Sequence, residues 1–185
     1  MFFFYREGPD NTPQKSNIYI GFGNKRPIRC IIATPKGSDT SGSNTIAIRN
    51  IGPMEYPVQA YVEADHDGSA GLGDIVDNLA DMGSGRILQG GSIDTFPLGP
   101  AVSSCQAMLT TDGRPLKATL ELLQGPNSVK IKIEHYSEDG LLRPLFVIFE
   151  TPGFGNVVRV MNTAPAEFPL SVAVEPYIID TDMMM

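Results

Sequence analysis

The stretch RPLFVIFETP, residues 143–152, begins with Arg-Pro, continues as an apolar run and ends with Thr-Pro; residues 26–35 read RPIRCIIATP. The two stretches lie 117 positions apart, and the same spacing pairs Tyr19 with Tyr136. When five residues within KGSDTSGSN, residues 36–44 of the first copy, are left out, a spacing of 112 continues the alignment. Over residues 8–35 and 44–63, 17 of 48 aligned positions are identical, with one gap. The chain is therefore an internal duplication.

Prolines and glycines divide each copy into five predicted strands. The first strand runs into Gly-Pro, the second carries the paired tyrosine, and the third lies between Arg-Pro and Thr-Pro. The fourth stops at Asn, and the fifth follows Tyr56-Pro57 or Phe168-Pro169 and stops at Glu. Proline cannot donate a backbone hydrogen bond, so it fits strand starts and edges rather than strand centres. The pattern predicts about ten strands.

These strands predict an all-β fold, a β-sandwich or jelly roll of two homologous repeats with pseudo-twofold packing. One closed ten-stranded sheet is the alternative. We expect a single compact domain over 1–185, with repeat 1 at about 1–64 and repeat 2 at about 92–177. A linker over 65–91 is predicted to hold one short helix, which Asp74 caps and Gly83 ends, and 178–185 is a tail.

The net charge of −7 is unevenly distributed along the 185 residues. Residues 1–60 carry seven basic and four acidic groups, whereas 61–100 carry one and seven. The acidic total argues against nucleic acid as a partner, because such binding begins with phosphate neutralisation. The basic first third could dock a protein instead. The candidate docking residues are Lys15, Lys25, Arg26, Arg29, Lys36 and Arg49, together with Arg143, the counterpart of Arg26.

The two cysteines, Cys30 and Cys105, lack metal-ligand spacing and lie in apolar strand-like runs. Buried structural thiols are the favoured interpretation, since unpaired cysteine behaves as a small hydrophobic residue. A disulfide and a covalently attached chromophore are the alternatives.

No motif points to catalysis, to a bound cofactor or to a strong metal site. The acidic loop over 65–74 offers carboxylates, but its register does not match a calcium loop, so a weak cation site is only the alternative to a solvated loop. His66 and His135 are the only histidines, and neither lies near a Ser or Cys in sequence. Glu63 and Lys15 recur in the second copy, which indicates structural rather than catalytic roles. We therefore predict that the protein is not an enzyme.

The motifs EGPDNTPQK, HYSEDGLLRPLFVIFETPG, NTIAIRNIGPMEYPV and NTAPAEFPLSVAV extend the repeat over nearly the whole chain. Together they resemble a family of duplicated β-domain proteins of red-lineage algal plastids, similar to auxiliary, linker-type components that stabilise the rods and core of the red-algal phycobilisome. The resemblance implies a non-catalytic linker without cofactors. It also implies phycobiliprotein subunits and other linker proteins as partners, and a chloroplast location on the stromal side of the thylakoid.

Two features fit that family less well, and two other functions stay open. Linkers of this antenna tend to be basic, whereas this chain is acidic. No transit peptide is evident, and MFFFY is expected to be the end of a strand whose upstream part is missing or processed away. A carbohydrate-binding sandwich is one alternative, although the chain has no Trp. An extrinsic photosystem subunit is the other.

Overall fold

A computed structural model of the chain describes residues 1–7, 11–34, 45–63, 85–126 and 128–180. These residues form twelve strands and one short 3-10 turn, Gly23–Lys25. The strands of the first part of the chain are β1 Phe2–Glu7, β2 Asn11–Ile20, β3 Ile28–Ile31 and β4 Thr45–Arg49. Those that follow are β5 Arg86–Leu88, β6 Ile93–Pro97, β7 Val102–Thr110, β8 Leu116–Gln124, β9 Val129–Ser137, β10 Leu145–Glu150, β11 Asn156–Asn162 and β12 Leu170–Ile179.

The strands form two antiparallel sheets rather than one closed sheet, which confirms the predicted sandwich. Seven strands take the order β4-β1-β2-β9-β8-β11-β6, and five take the order β3-β10-β7-β12-β5. Side chains on β9 show why the layers form: Ile131, Ile133 and His135 are buried, and the residues between them are not. This alternation of period two places one face of each strand in the core. The count is twelve because β5, β6 and β7 precede β8, the second copy's first strand, and the first copy's predicted fifth strand does not form.

Four strands of the first copy have structural counterparts in the second. Strands β1, β2 and β3 correspond to β8, β9 and β10 at the 117-residue spacing, and β4 corresponds to β11 at 112. The order β4-β1-β2 is accordingly mirrored by β9-β8-β11 in the same sheet. The duplication is therefore visible in three dimensions, not only in the sequence.

A pseudo-twofold axis passes between the copies in both sheets. In the seven-stranded sheet, Asn17 of β2 lies opposite its own repeat counterpart, Glu134 of β9. In the five-stranded sheet, Cys30 of β3 lies opposite its counterpart, Val147 of β10. Because equivalent strands pair with each other at both places, the expected pseudo-twofold packing is confirmed.

The first copy lacks its fifth strand, contrary to the prediction. Residues 58–63 correspond to the first part of β12, but they form no strand and every one of them is exposed. In the second copy, β12 pairs with β7 over most of its length and with β5 at its start. A favourable side-chain pattern is not sufficient for a strand, because a strand also needs neighbouring strands to pair with. The predicted linker helix lies outside the described residues.

The main core lies between the sheets and draws on both copies. It includes large side chains that are fully buried on β8, β9 and β10, among them Leu120, Ile133 and Phe149. From the first copy it takes Phe3 and Ile18. The opening MFFFY therefore contributes buried side chains to a strand of the sandwich.

Candidate assembly surface

Four of the predicted docking residues are exposed on the first copy. Lys15 lies on β2, with its amine 5.2 Å from the centre of the Tyr136 ring. Lys25 ends the 3-10 turn, Arg29 lies on β3, and Arg49 ends β4. Lys36 lies outside the described residues. The structure thus distributes these accessible cations over separate elements of the first copy.

Arg26 and Arg143 are buried, so their side chains are not accessible to a docking partner. The Arg26 guanidinium donates to the Gln124 side-chain oxygen at 2.9 Å and to the Gly21 carbonyl at 3.3 Å. Gln124 in turn donates to the carbonyl of Pro152 at 2.8 Å. The Arg143 guanidinium lies 6.0 Å from the centre of the Tyr5 ring. Any docking role therefore rests on the exposed cations alone.

The outer face of the seven-stranded sheet carries paired charges across its centre. Lys132 lies 2.7 Å from Glu134, which also accepts a hydrogen bond from Asn17 at 3.2 Å. On the same face Arg159 holds the buried Glu121 through two of its nitrogens. These four charged side chains are therefore satisfied locally by one another.

Both cysteines are free thiols in hydrophobic surroundings, which contradicts the alternative of a disulfide. Burial raises the pKa of Cys30 to about 12 and, with a smaller effect from Glu175, also raises that of Cys105 to about 12. The thiolate is the nucleophilic form of cysteine, so both side chains are poor candidates for covalent attachment.

A buried Ser-His pair lies beside the pseudo-twofold axis. The Ser16 hydroxyl is 2.7 Å from His135 Nδ1, and both residues are buried. Burial lowers the pKa of His135 to about 3, so the imidazole is neutral at pH 7. The symmetry-related pair is Ile18 opposite Ile133. Because an apolar pair occupies the equivalent place and no surface reaches the hydroxyl, the pair is structural.

Residues 50–56 form the same corner as residues 162–168 in the second copy. The Asn50 amide donates to the Tyr56 carbonyl at 2.9 Å, and Asn162 donates to the Phe168 carbonyl at 2.8 Å. Each Asn side-chain oxygen accepts from the backbone two residues later, in both cases at 3.0 Å. A third bond, from the aromatic residue's N–H to a proline carbonyl, is also shared. The chain therefore turns in the same way after β4 and after β11.

Beyond this corner the two copies differ sharply in exposure. Val174 of β12 is 8% exposed, whereas its counterpart Val62 is 59% exposed. On the facing sheet, Val160 of β11 is 0% exposed and its counterpart Ile48 of β4 is 39% exposed. The second half of the sandwich is closed, and the first half exposes apolar surface on both layers. The exposed large apolar residues of this part are Ile48, Ile51, Met54, Tyr56, Val58, Tyr61 and Val62.

Sequence reasoning missed this surface. Within the described residues, β5, β6 and β7 have no counterpart in the first copy, so segment 58–63 lacks there the neighbours that β12 has. We predicted contact through exposed charges, and the structure adds a run of exposed apolar side chains.

The described residues hold no group of three or more His, Cys, Asp or Glu side chains able to bind a metal ion. His66 and the whole acidic loop over 65–74 lie outside those residues. Within the part of the chain that is described, no helix has the length and apolar character needed to cross a bilayer.

One family of known proteins, described as diatom pyrenoid shell protein, matches residues 5–176. A search of curated proteins found no match to the chain.

The family match overturns the resemblance to phycobilisome linkers, and with it the expected phycobiliprotein partners and the stromal thylakoid surface as the location. The family description points to the pyrenoid within the chloroplast and to a structural class of protein. The linker-like motifs led to the wrong family because they indicate the duplicated fold and not the complex to which the protein belongs. This chain belongs to the diatom pyrenoid shell protein family.

Proposed function

We propose that the protein is a non-catalytic building unit of the pyrenoid shell and that it acts through protein–protein contacts. The observation that carries this proposal is the family match, which extends over both repeats and the segment between them. A unit of a shell needs a rigid body and contact surfaces, and it needs no catalytic centre. The closed half of the sandwich supplies the rigid body, with a core that spans both sheets.

The exposed apolar side chains of residues 51–63 support a contact role. Met54 is 98% exposed and Tyr61 is 87% exposed. Large apolar side chains exposed in such number within one segment are typical of a protein–protein interaction site. The exposed cations Lys25, Arg29 and Arg49 belong to the same copy and could orient an approaching acidic partner.

The location of the protein in a diatom cell tests this function. A fluorescent or immunogold label on the full chain is expected to form a closed rim around the pyrenoid. As a control, a label on an unrelated stromal protein should not form that rim. A label spread evenly through the stroma, or confined to thylakoids away from the pyrenoid, would contradict a role in the shell.

A further inference from the structure

Two equivalent turns lie at opposite ends of the strand pair β2–β9. The first turn, residues 21–25, follows β2 beside the start of β9. The second turn, residues 138–142, follows β9 at the other end of the pair, where Glu138 N–H donates to the Pro13 carbonyl at 2.9 Å. The two turns are counterparts at the 117-residue spacing. Gly21 comes eight residues after Pro13, so the turns are about 27 Å apart along the strands.

Both turns expose large apolar side chains. Phe22 in the first turn is 70% exposed, and Leu141 and Leu142 in the second are 62% and 51% exposed. A single exposed apolar side chain is ordinary in a folded protein. These three side chains lie at equivalent places of the fold, however, so each end of the strand pair presents an apolar projection.

The backbone of Phe22 gives the first independent sign that its ring has a use. With φ 57° and ψ 57°, Phe22 is in the left-handed region, which is unfavourable for a bulky residue. Its counterpart Asp139 stabilises the second turn by accepting hydrogen bonds from the N–H groups of Leu141 and Leu142, both at 2.9 Å. A phenyl ring cannot do this. The first turn therefore keeps an exposed ring in a backbone conformation that glycine would adopt without strain, which indicates a role outside the isolated molecule.

The charges of the two turns give the second sign, because they are opposite. The first turn carries the exposed Lys25 and no acidic residue. The second carries the exposed Glu138 and the half-buried Asp139. Beside the second turn, Arg114 pairs with Asp112 at 3.0 Å, so this pair adds no net charge. Opposite charges on two surfaces favour their association.

We propose that the two turns are the two halves of a head-to-tail contact, in which turn 21–25 of one molecule meets turn 138–142 of another molecule of this protein. A molecule shifted along the strand direction without rotation brings these turns together, because β2 and β9 are neighbours about 4.8 Å apart. A contact between two different surfaces repeats from molecule to molecule and does not close a dimer. A layer grows in two directions, so it needs a contact of this kind in addition to the exposed residues of 51–63.

The two turns complement each other in apolar surface and in charge. Phe22 would pack between Leu141 and Leu142 of the neighbour, which removes all three side chains from water. Lys25 would approach Glu138 at the rim of this apolar contact. The choice of another molecule of the same protein rests on the proposed function, because a shell contains many molecules.

Replacing Phe22 separates the contact from the stability of the fold. In Phe22→Gly the ring is lost and the left-handed backbone is relieved, so the melting temperature of the dilute protein should stay the same or rise. Self-association, measured by sedimentation velocity over a range of concentrations, should weaken at least tenfold. Asn24→Ala, an exposed position in the same turn, is the control and should have less than a threefold effect. Equal effects of the two variants, or a lower melting temperature in Phe22→Gly, would overturn the assignment of the ring to the contact.

Exchange of the two charges tests which surfaces meet. Lys25→Glu and Glu138→Lys should each weaken self-association at least fivefold, and the double variant should recover to within twofold of the unmodified protein, because opposite charges face each other again. A double variant that associates no better than the single variants would overturn the pairing of these turns. Full assembly of every variant would also overturn the contact but leave the proposed function standing. An unmodified chain that stays monomeric at every concentration would contradict both.

Discussion

Asn17 and Glu134 are repeat counterparts, and they face each other directly across β2 and β9, joined by a 3.2 Å hydrogen bond. Two equivalent positions can pair only where a twofold axis passes between them. Backbone bonds at the two ends of the same strand pair are also related: Gly21 N–H donates to the Lys130 carbonyl at 2.7 Å, and Glu138 N–H donates to that of Pro13 at 2.9 Å. The duplicated sequence thus folds into one sandwich with an approximate symmetry, which allows one copy to serve as the control for the other.

A pair of equivalent glycines tests whether one copy can serve as the control for the other. Gly140 and Gly23 are repeat counterparts, but a Cβ on Gly140 would lie 2.5 Å from Thr111 Oγ1 and 2.8 Å from Leu116 Cβ. On Gly23 the nearest atom would be 3.9 Å away. We expect Gly140→Ala to lower the free energy of unfolding by about 2 kcal/mol through overpacking, and Gly23→Ala by less than about 0.5 kcal/mol. Urea denaturation measures both values. Equal losses would mean that the two turns are packed alike.

The buried His135 should make stability depend on pH. Its folded-state pKa of about 3 lies below the ordinary 6.5, so between these values the unfolded chain binds a proton that the folded protein does not. Its contribution is therefore fully present above pH 6.5 and is lost as pH falls, by up to about 1.4 kcal/mol per pH unit. His135→Asn, which can still bond Ser16, should remove this part of the slope. Denaturation at pH 7, 6, 5 and 4 gives the unfolding free energy of the unmodified protein and of the variant. If both free energies fell equally with pH, the assignment to His135 would be wrong.

The Arg26 and Gln124 side chains should be coupled, because their hydrogen bond joins the two copies. Arg26→Ala is expected to cost about 2–3 kcal/mol of unfolding free energy, since it leaves buried polar atoms without a partner. Gln124→Ala should cost less, and the double variant should cost less than the sum of the two by about 1 kcal/mol. Arg143→Ala, at the equivalent place beside the Tyr5 ring, serves as the comparison. Strict additivity for Arg26 and Gln124 would show that the bond contributes nothing.

The two thiols should be unreactive in the folded protein. With a pKa of about 12, each is almost entirely protonated at pH 8. Iodoacetamide should therefore modify Cys30 and Cys105 at least about a hundredfold more slowly in native buffer than in urea, where thiols return to their ordinary pKa of about 8.5. Mass spectrometry of the labelled protein reports each site separately. Rapid native labelling of either thiol would contradict the raised pKa of that thiol.

Cys30→Val offers a further comparison across the axis. Val147 is the residue that the second copy uses at this position, and it lies opposite Cys30 in the sheet. Because valine already suits the equivalent place, the substitution should change the unfolding free energy by less than about 1 kcal/mol. The melting temperature of the variant checks this, and a large loss would show that the two environments are not equivalent.

The repeat made most of the sandwich predictable from the sequence. Proline and glycine positions correctly indicated β1 to β4 and their counterparts β8 to β11, because these residues limit strands through local backbone chemistry. Whether residues 58–63 form a strand could not be predicted in the same way. Whether a strand forms depends on which neighbours are present, and this information lies in the topology of β5, β6 and β7.

The contact surface was predictable only in part. The basic character of the first copy was visible, but the burial of Arg26 and the exposure of Arg29 follow from the side of the fold on which each residue falls. The assembly itself could not be derived from the strands, since a duplicated sandwich can serve many assemblies. For that reason the family match, and not the motif pattern, corrected the expected partners and location.

Electron cryo-microscopy of the purified chain at increasing concentration tests the central claim most directly. If the protein is a building unit of the shell, it should form extended layers in which the exposed apolar residues of 51–63 contact a neighbouring copy. The Val62→Asp variant should not form these layers under the same conditions. Dispersed single particles of the unmodified chain at every concentration, or layers whose contacts all avoid the first copy, would contradict the account.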